Sequence, residues 1–179
     1  PPKKGFSLGE SELAFSANVD HLFRGNARFS LAEIREGAFL REALELAAVE
    51  KVAQTITDDE LTQLRHNLRL QQALLDDDDF DGFYQTDAAM HELILSFTGY
   101  RRVAALADTS WVHVNRARQL ILPAPGRVQS TYAEHQAILA AIEARDPVAA
   151  RAATRLHLGQ LIGFLEPLAL ARPDLFEPD

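Results

Sequence analysis

The sequence predicts an all-α protein. Apolar residues recur at intervals of three and four along nearly all of the 179 residues, and no long stretch alternates in the manner of a β-strand. Two sequences with the spacing of a helix capping box, together with several Pro and Gly stops, divide this pattern into separate helices. Hydrophobic residues make up 47% of the chain, enough for one core of its own.

Residues 1–29 are expected to be a linker remnant followed by a short helix. The first ten residues are rich in Pro, Lys and Gly, which indicates a linker or a frayed end, and the short helix is predicted from about Ser11 to Phe23. The chain begins with Pro rather than Met, so we expect a fragment or a processed chain. Residues 30–179 are expected to form one helical domain.

Capping boxes mark two helix starts in this domain. Ser30 and Glu33 have the required spacing and predict a helix that runs to about Gln54. Thr57 and Glu60 repeat the spacing and begin the next helix, which should end near an acidic run at positions 76–79.

Three later helices each carry polar residues within an apolar face. The first should bury Phe80, Tyr84, Asp87, His91, Ile94 and Thr98, and end at Gly99. A helix from about Tyr100 to Leu122 is stopped by Pro123. The next should bury Val128, Thr131, His135, Ile138 and Ile142. The last begins at Asp146 and Pro147, should bury Ala150, Thr154, His157, Leu161 and Phe164, and should fray at Pro167 and Pro173.

Composition narrows the class of partner. A formal net charge of −8 argues against nucleic-acid binding by this chain alone, because affinity for phosphates comes mostly from clustered Lys and Arg. The absence of Cys excludes disulfides and thiolate metal sites and favours a cytoplasmic protein. No apolar run is long enough for a membrane span. We therefore expect a small molecule or a protein as the partner.

Asp87, His91, His135 and His157 are predicted to bind a divalent metal ion. Asp87 and His91 are four residues apart and share one helix face. His135 and His157 lie at similar distances from the turn at residues 145–146, so an antiparallel hairpin would bring their imidazoles together. Imidazoles and a carboxylate suit zinc, with nickel or manganese as alternatives. A hydrogen-bonded Asp–His cluster without metal is the competing interpretation.

An open coordination position on such an ion could bind the carboxylate of a small ligand. We then expect a positively charged side chain nearby to contact the other end of that carboxylate. Arg41 is the first candidate because it lies on an otherwise largely apolar helix face; an exposed ion pair with Glu45 is the alternative. The other candidate effector contacts are Trp111, Ser130, Thr131 and Arg155. They are chosen because they lie near the metal ligands in the sequence or at the same level of the predicted bundle.

Several motifs together resemble a known family. They are RxxLE at 41–45, TDDEL at 57–61, DxxxH at 87–91, EHQAILAAIEARD at 134–146 and AxxATRLHL at 150–158. Their order and spacing are similar to those of the FCD domain, the C-terminal effector-binding domain of FadR-type GntR transcriptional regulators, over about residues 30–163.

The resemblance implies an antiparallel bundle of six or seven helices, a metal held by the Asp and the three His, and a small organic acid bound beside or onto it. It also implies a homodimer, not an enzyme, that reaches DNA only through an N-terminal winged helix-turn-helix absent from this chain. Two alternatives stay open: a metal-dependent hydrolase or oxygenase, which needs a general base that we do not find on the ligand face, and a purely structural helical module.

Overall fold

The computed structural model describes residues 28–121 and 124–177, without the side chains at positions 104, 108–110, 113 and 119. Within these residues the chain forms six α-helices and a final 3-10 turn: α1 Leu31–Thr55, α2 Asp58–Asp76, α3 Phe80–Phe97, α4 Arg101–Ile121, α5 Arg127–Glu143, α6 Pro147–Ala171 and the turn Pro173–Leu175. The described part contains no β-strand, so the predictions of an all-α fold and of a helical bundle are confirmed. The short helix predicted from Ser11 to Phe23 lies outside the described residues.

The helices begin where the capping residues predict. Thr57 and Glu60 form a reciprocal capping box at the start of α2. Ser30 accepts a hydrogen bond from the backbone N–H of Glu33 at the start of α1. Asp146 accepts from two backbone N–H groups at the start of α6, directly before Pro147. Two of these caps lie in turns between helices, Thr57 between α1 and α2 and Asp146 between α5 and α6.

The bundle is organised around α1, which packs against α4 and α6, while α2 packs against α3 and α5. Helices α5 and α6 form a hairpin, and Arg145 in its turn has a positive φ of 52°. No helix in the described residues is long and apolar enough to cross a membrane.

Three predicted features of the helices are corrected. Phe80, the first residue of α3, is 48% exposed, and Phe83 one turn later is fully buried in its place. Helix α6 continues through Pro167 to Ala171, because Leu165 and Leu168 pack into the core on both sides of the proline. Phe164 is 39% exposed, and Leu165 takes the buried position.

The core consists of two apolar clusters with a polar layer between them. On α1, Arg41 and Glu45 are buried between Ile34 of one cluster and Ala48 of the other. On α6, His157 lies between Ala150 of one cluster and Leu161 of the other in the same way. The buried polar residues therefore gather at one level of the bundle.

Candidate metal centre

Asp87, His91, His135 and His157 meet in this polar layer, and all four are buried. One ligand atom from each lies within 4.8 Å of the others. His157 Nε2 is 3.2 Å from His91 Nε2 and 3.4 Å from His135 Nε2, and His135 Nε2 is 3.4 Å from Asp87 Oδ1. The structure thus brings together the four side chains that the sequence singles out.

Each imidazole uses its other nitrogen to contact an acceptor. Nδ1 lies 2.6 Å from Glu45 Oε2 in His91, 2.8 Å from Gln71 Oε1 in His135, and 2.7 Å from Glu134 Oε2 in His157. With the Nδ1–H donated to these oxygens, each neutral ring presents an unprotonated Nε2 to the centre of the group. Partners of this kind commonly fix the tautomer of metal-binding histidines.

The pKa values of the three histidines favour their neutral forms. Burial lowers the pKa of His135, and the neighbouring His157 and His91 lower it further. The pKa of His157 also lies well below the usual value, through burial and then His91. For His91, burial lowers the pKa, although Glu45 opposes the shift. Neutral rings that donate from Nδ1 would turn their Nε2 lone pairs toward one another and toward the carboxylate of Asp87.

The spacing of these atoms suits a small divalent cation. Ligand atoms bound tetrahedrally at about 2.0 to 2.1 Å lie about 3.3 to 3.4 Å apart, close to the separations found between the Nε2 atoms. Both oxygens of Asp87 are buried and accept no hydrogen bond from the described residues, although Arg118 contacts Oδ2 as an ion pair. The buried Asp and three His could hold a metal ion, and the donor set fits zinc, nickel or manganese.

Three buried arginines flank this group, each paired with a carboxylate. Burial, with a further contribution from Arg41, lowers the pKa of Arg118 to about 9, so its guanidinium is still charged at neutral pH. Arg127 makes two parallel contacts, of 2.8 and 2.7 Å, with the oxygens of Glu134. The pairs are Arg41 with Glu45, Arg118 with Asp87 and Arg127 with Glu134.

A cavity of about 30 Å³ opens beside the group. Its polar lining includes Arg41, Arg118, Arg127, Thr131 and His157. The apolar part of the cavity wall includes Ile121, Leu158 and Leu161. The space accommodates about two water-sized groups.

Three of the five predicted effector contacts lie in or near this cavity. Arg41 and Thr131 line it, and the Arg41 guanidinium stacks 5.0 Å from the centre of the buried Trp111 ring. The Arg41–Glu45 ion pair that was the alternative interpretation is present, but it is buried rather than exposed. The ion pair with Glu45 is thus present, and the role of Arg41 as an effector contact stays a prediction.

Ser130 and Arg155 are not brought to the cavity. Both are exposed: Ser130 donates to the Gly126 carbonyl, and Arg155 pairs with Glu42 on the surface. The reason is helical geometry, because consecutive residues point about 100° apart, so the neighbour of buried Thr131 turns outward.

Sequence reasoning missed four side chains of the site, Gln71, Arg118, Arg127 and Glu134, and it did not assign Glu45 to a histidine. Glu45 carried the clearest signal, since it lies on the same largely apolar face as Arg41. Glu134 adjoins His135 and points away from that ring, but it reaches His157 on the next helix. Gln71 lies between Leu68 and Leu75 at helical spacing on the apolar face of α2, and Arg118 lies between Val114 and Ile121 in the same way on α4. The pattern thus marks both positions as buried but does not identify their partners.

An FCD domain family model matches residues 36–160, well over half of the chain. The chain therefore belongs to the FCD domain family.

Curated relatives are transcriptional regulators. The HTH-type transcriptional repressor RspR of Escherichia coli is 24% identical over 85% of this chain and 67% of its own length. An HTH-type transcriptional regulator in an unstable DNA locus of Streptomyces ambofaciens is 29% identical over 86% of this chain and 64% of its own length. The chain thus spans about two thirds of the length of these curated relatives, and both are named as transcriptional regulators.

Solved structures support the fold. E. coli McbR/YncC superposes with a TM-score of 0.72 at 18% identity, covering 84% of this chain and 76% of that one. Streptococcus agalactiae GntR gives a TM-score of 0.62 at 24% identity over 73% of this chain and 58% of its own. The metal-free FCD domain of TM0439 gives a TM-score of 0.60 at 20% identity, covering 76% of this chain and 94% of that chain.

Proposed function

We propose that this chain is the ligand-sensing domain of a GntR-type transcriptional regulator and that it binds one divalent metal ion, zinc first, through Asp87, His91, His135 and His157. One observation carries the proposal: three Nε2 atoms converge while every Nδ1 contacts an acceptor. The inward-facing Nε2 atoms and Oδ1 of Asp87 would each cost about 1 to 3 kcal/mol if they were buried without a partner. A bound cation satisfies them together.

The proposed effector is a small organic acid whose carboxylate binds on or beside the ion. Two buried nitrogens support this choice, since Arg41 Nη2 and Arg118 Nη1 have no hydrogen-bond partner in the part of the chain that the structure describes, and both residues line the cavity. Guanidinium groups favour carboxylates because their N–H groups match the two oxygens. Trp111 and Thr131 would complete the walls.

An enzymatic role is the weaker proposal. A metal-dependent hydrolase needs a free general base near the ion. Glu45 and Glu134 are the described carboxylates that contact the ligand histidines, and each is already bonded to a histidine and an arginine. Occupied carboxylates of this kind serve to orient ligands rather than to accept a proton from water.

In the whole protein, we propose that DNA is bound by a helix-turn-helix domain and that the chain dimerises. A regulator reading two half-sites needs a two-fold axis, which the sensing domain can provide. Sedimentation at micromolar concentration should give the mass of a dimer. A monomer over the whole concentration range would count against this part of the proposal.

The metal assignment is tested by titrating the metal-stripped chain with zinc and measuring bound metal by native mass spectrometry and elemental analysis. We expect about one ion per chain, and loss of that ion in His135→Ala and His157→Ala. His66→Ala is the matched control because His66 is exposed on α2. Full occupancy in both site variants would contradict the assignment.

A further inference from the structure

Two buried amide side chains on α2 join α3 to α5 through a chain of hydrogen bonds. Asn67 and Gln71 are four residues apart on one face of the helix, and both are buried. Asn67 Nδ2 donates to the backbone carbonyl of Thr86 at 2.9 Å, and Gln71 Nε2 donates to Asn67 Oδ1 at 2.7 Å. Gln71 Oε1 then lies 2.8 Å from Nδ1 of His135. The chain of bonds therefore ends at one of the three histidines of the polar layer.

The Thr86 carbonyl sets the direction of these bonds. A backbone carbonyl only accepts, so Asn67 turns its NH2 group toward it and its oxygen toward Gln71. Gln71 donates to that oxygen, which turns its own oxygen toward His135. An amide oxygen also only accepts, so the neutral His135 ring carries its proton on Nδ1 and its lone pair on Nε2.

His135 depends on this arrangement more than the other two histidines of the layer do. Those two contact the carboxylates of Glu45 and Glu134, and an ionised carboxylate only accepts. An amide ends in both a donor and an acceptor, so a Gln71 side chain turned over would present its NH2 group to His135 and favour a proton on Nε2. The group on the far side of Gln71 therefore decides which tautomer forms.

We propose that Asn67 is a positioning residue that sets the tautomer of His135 through Gln71. Asn67 touches neither the histidine nor the centre of the ligand group, and it acts by keeping the Gln71 oxygen turned toward Nδ1. The consequence for metal binding rests on the proposed metal site. The tautomer itself is a property of the metal-free chain and is measured there.

Nitrogen NMR of the metal-free chain with ¹⁵N-labelled histidine tests the tautomer, because protonated and unprotonated ring nitrogens have well-separated chemical shifts. The spectra are recorded at about pH 8, above the usual histidine pKa near 6.5. The His135 signals are identified by their loss in His135→Ala. We expect a single form of His135, with the proton on Nδ1. A proton on Nε2 in the unmodified chain would overturn the proposal, whether or not any variant folds.

Asn67→Leu removes the acceptor that orients Gln71 and keeps a side chain of similar size. Weaker contacts of Gln71 Nε2 remain, at 3.4 Å to the Thr86 carbonyl and 3.9 Å to Met90 Sδ, so we expect a mixture of the two tautomers. Adding Gln71→Glu should restore the single Nδ1–H form, because a carboxylate needs no orientation by Asn67. An unchanged single Nδ1–H form in Asn67→Leu would contradict the role of Asn67.

Zinc affinity provides the second readout. Loss of an outer partner of a metal ligand typically costs 10- to 100-fold, and because Asn67 is one bond further away we expect up to about a tenfold loss in Asn67→Leu. The double variant should recover most of it. Gln72→Leu is the control on the same helix, since Gln72 bonds only to Asp76 at the surface among the described contacts.

Rescue separates positioning from packing. If Asn67 merely supported the fold, Gln71→Glu would restore neither the tautomer nor the zinc affinity, and that result would overturn the proposal. If the unmodified chain shows the Nδ1–H form and binds no zinc, the proposed metal site fails while the role of Asn67 in setting the tautomer stands.

Discussion

Glu45 accepts a hydrogen bond from Arg41 through one oxygen and from His91 through the other, each at 2.6 Å. Burial alone would raise the pKa of Glu45, but the Arg41 and His91 contacts outweigh it and hold the pKa well below its usual value. The carboxylate is therefore ionised at neutral pH and fixes which nitrogen of His91 faces the metal centre. One residue thus links the arginine of the cavity to a metal ligand.

Replacing Glu45 by Gln should weaken metal binding. Gln can still accept one hydrogen bond, but it brings no charge to balance Arg41 or to raise the basicity of His91. Loss of such a partner typically lowers metal affinity about 10- to 100-fold. The measurement is competition with a chromophoric chelator. Glu42→Gln is the control, since Glu42 pairs with Arg155 at the surface; equal affinities in the two variants would contradict the role of Glu45.

The metal-free chain should lose stability in mild acid. The folded pKa values of the three histidines lie below the unfolded value near 6.5, so below that pH the unfolded state takes up protons that the folded state does not. Stability is fully present above about pH 6.5 and falls as the pH drops. The slope is at most about 4 kcal/mol per pH unit for three protons.

Urea unfolding between pH 7.5 and 5.5 in the presence of a chelator measures this slope. His66→Ala should retain it, because that histidine is exposed. A stability that is constant across this range would show that the three rings titrate normally in the folded state.

Zinc should raise the melting temperature of the chain reversibly. An ion present at about 100 times its dissociation constant stabilises the folded state by about 2.7 kcal/mol, which corresponds to roughly 5 to 10 °C for a domain of this size. Calorimetry before and after addition of chelator gives the shift. An unchanged melting temperature with zinc bound would mean that the ion binds the unfolded chain equally well.

Arg41→Lys should separate effector binding from metal binding. Lys keeps a positive charge beside Glu45 but cannot make the forked contact of a guanidinium. A lost contact worth about 1.5 to 3 kcal/mol weakens carboxylate binding by about one to two orders of magnitude. A calorimetric screen of small organic acids against the zinc-loaded chain supplies the ligand. The result expected is weaker acid binding with zinc retained, and unchanged acid binding would exclude Arg41 as a contact.

Local signals predicted most of the fold. The capping box at Thr57 and Glu60 and the Asp146 cap describe contacts within a few residues, and such contacts form wherever the helix forms. The burial of Phe83 instead of Phe80 was not predictable from periodicity alone, because the first residue of a helix can lie beyond the neighbouring helices that cover the rest of the face.

The metal centre, like the fold, could be predicted only in part. Spacing brought Asp87 and His91 together on one helix face, and a hairpin paired His135 with His157. Gln71 could not be assigned, because it lies on α2 and only the packing of that helix against α5 brings it to His135. Side chains that support a site from another helix depend on tertiary contacts that a single sequence does not reveal.

Anomalous X-ray diffraction at the zinc absorption edge, from crystals of the zinc-loaded chain, tests the metal assignment most directly. We expect one strong peak in the polar layer, about 2.0 to 2.2 Å from a carboxylate oxygen of Asp87 and from Nε2 of His91, His135 and His157. The peak should vanish in data collected below the edge. A principal zinc peak elsewhere on the chain, or coordination through the Nδ1 atoms that contact Glu45, Gln71 and Glu134, would contradict the account.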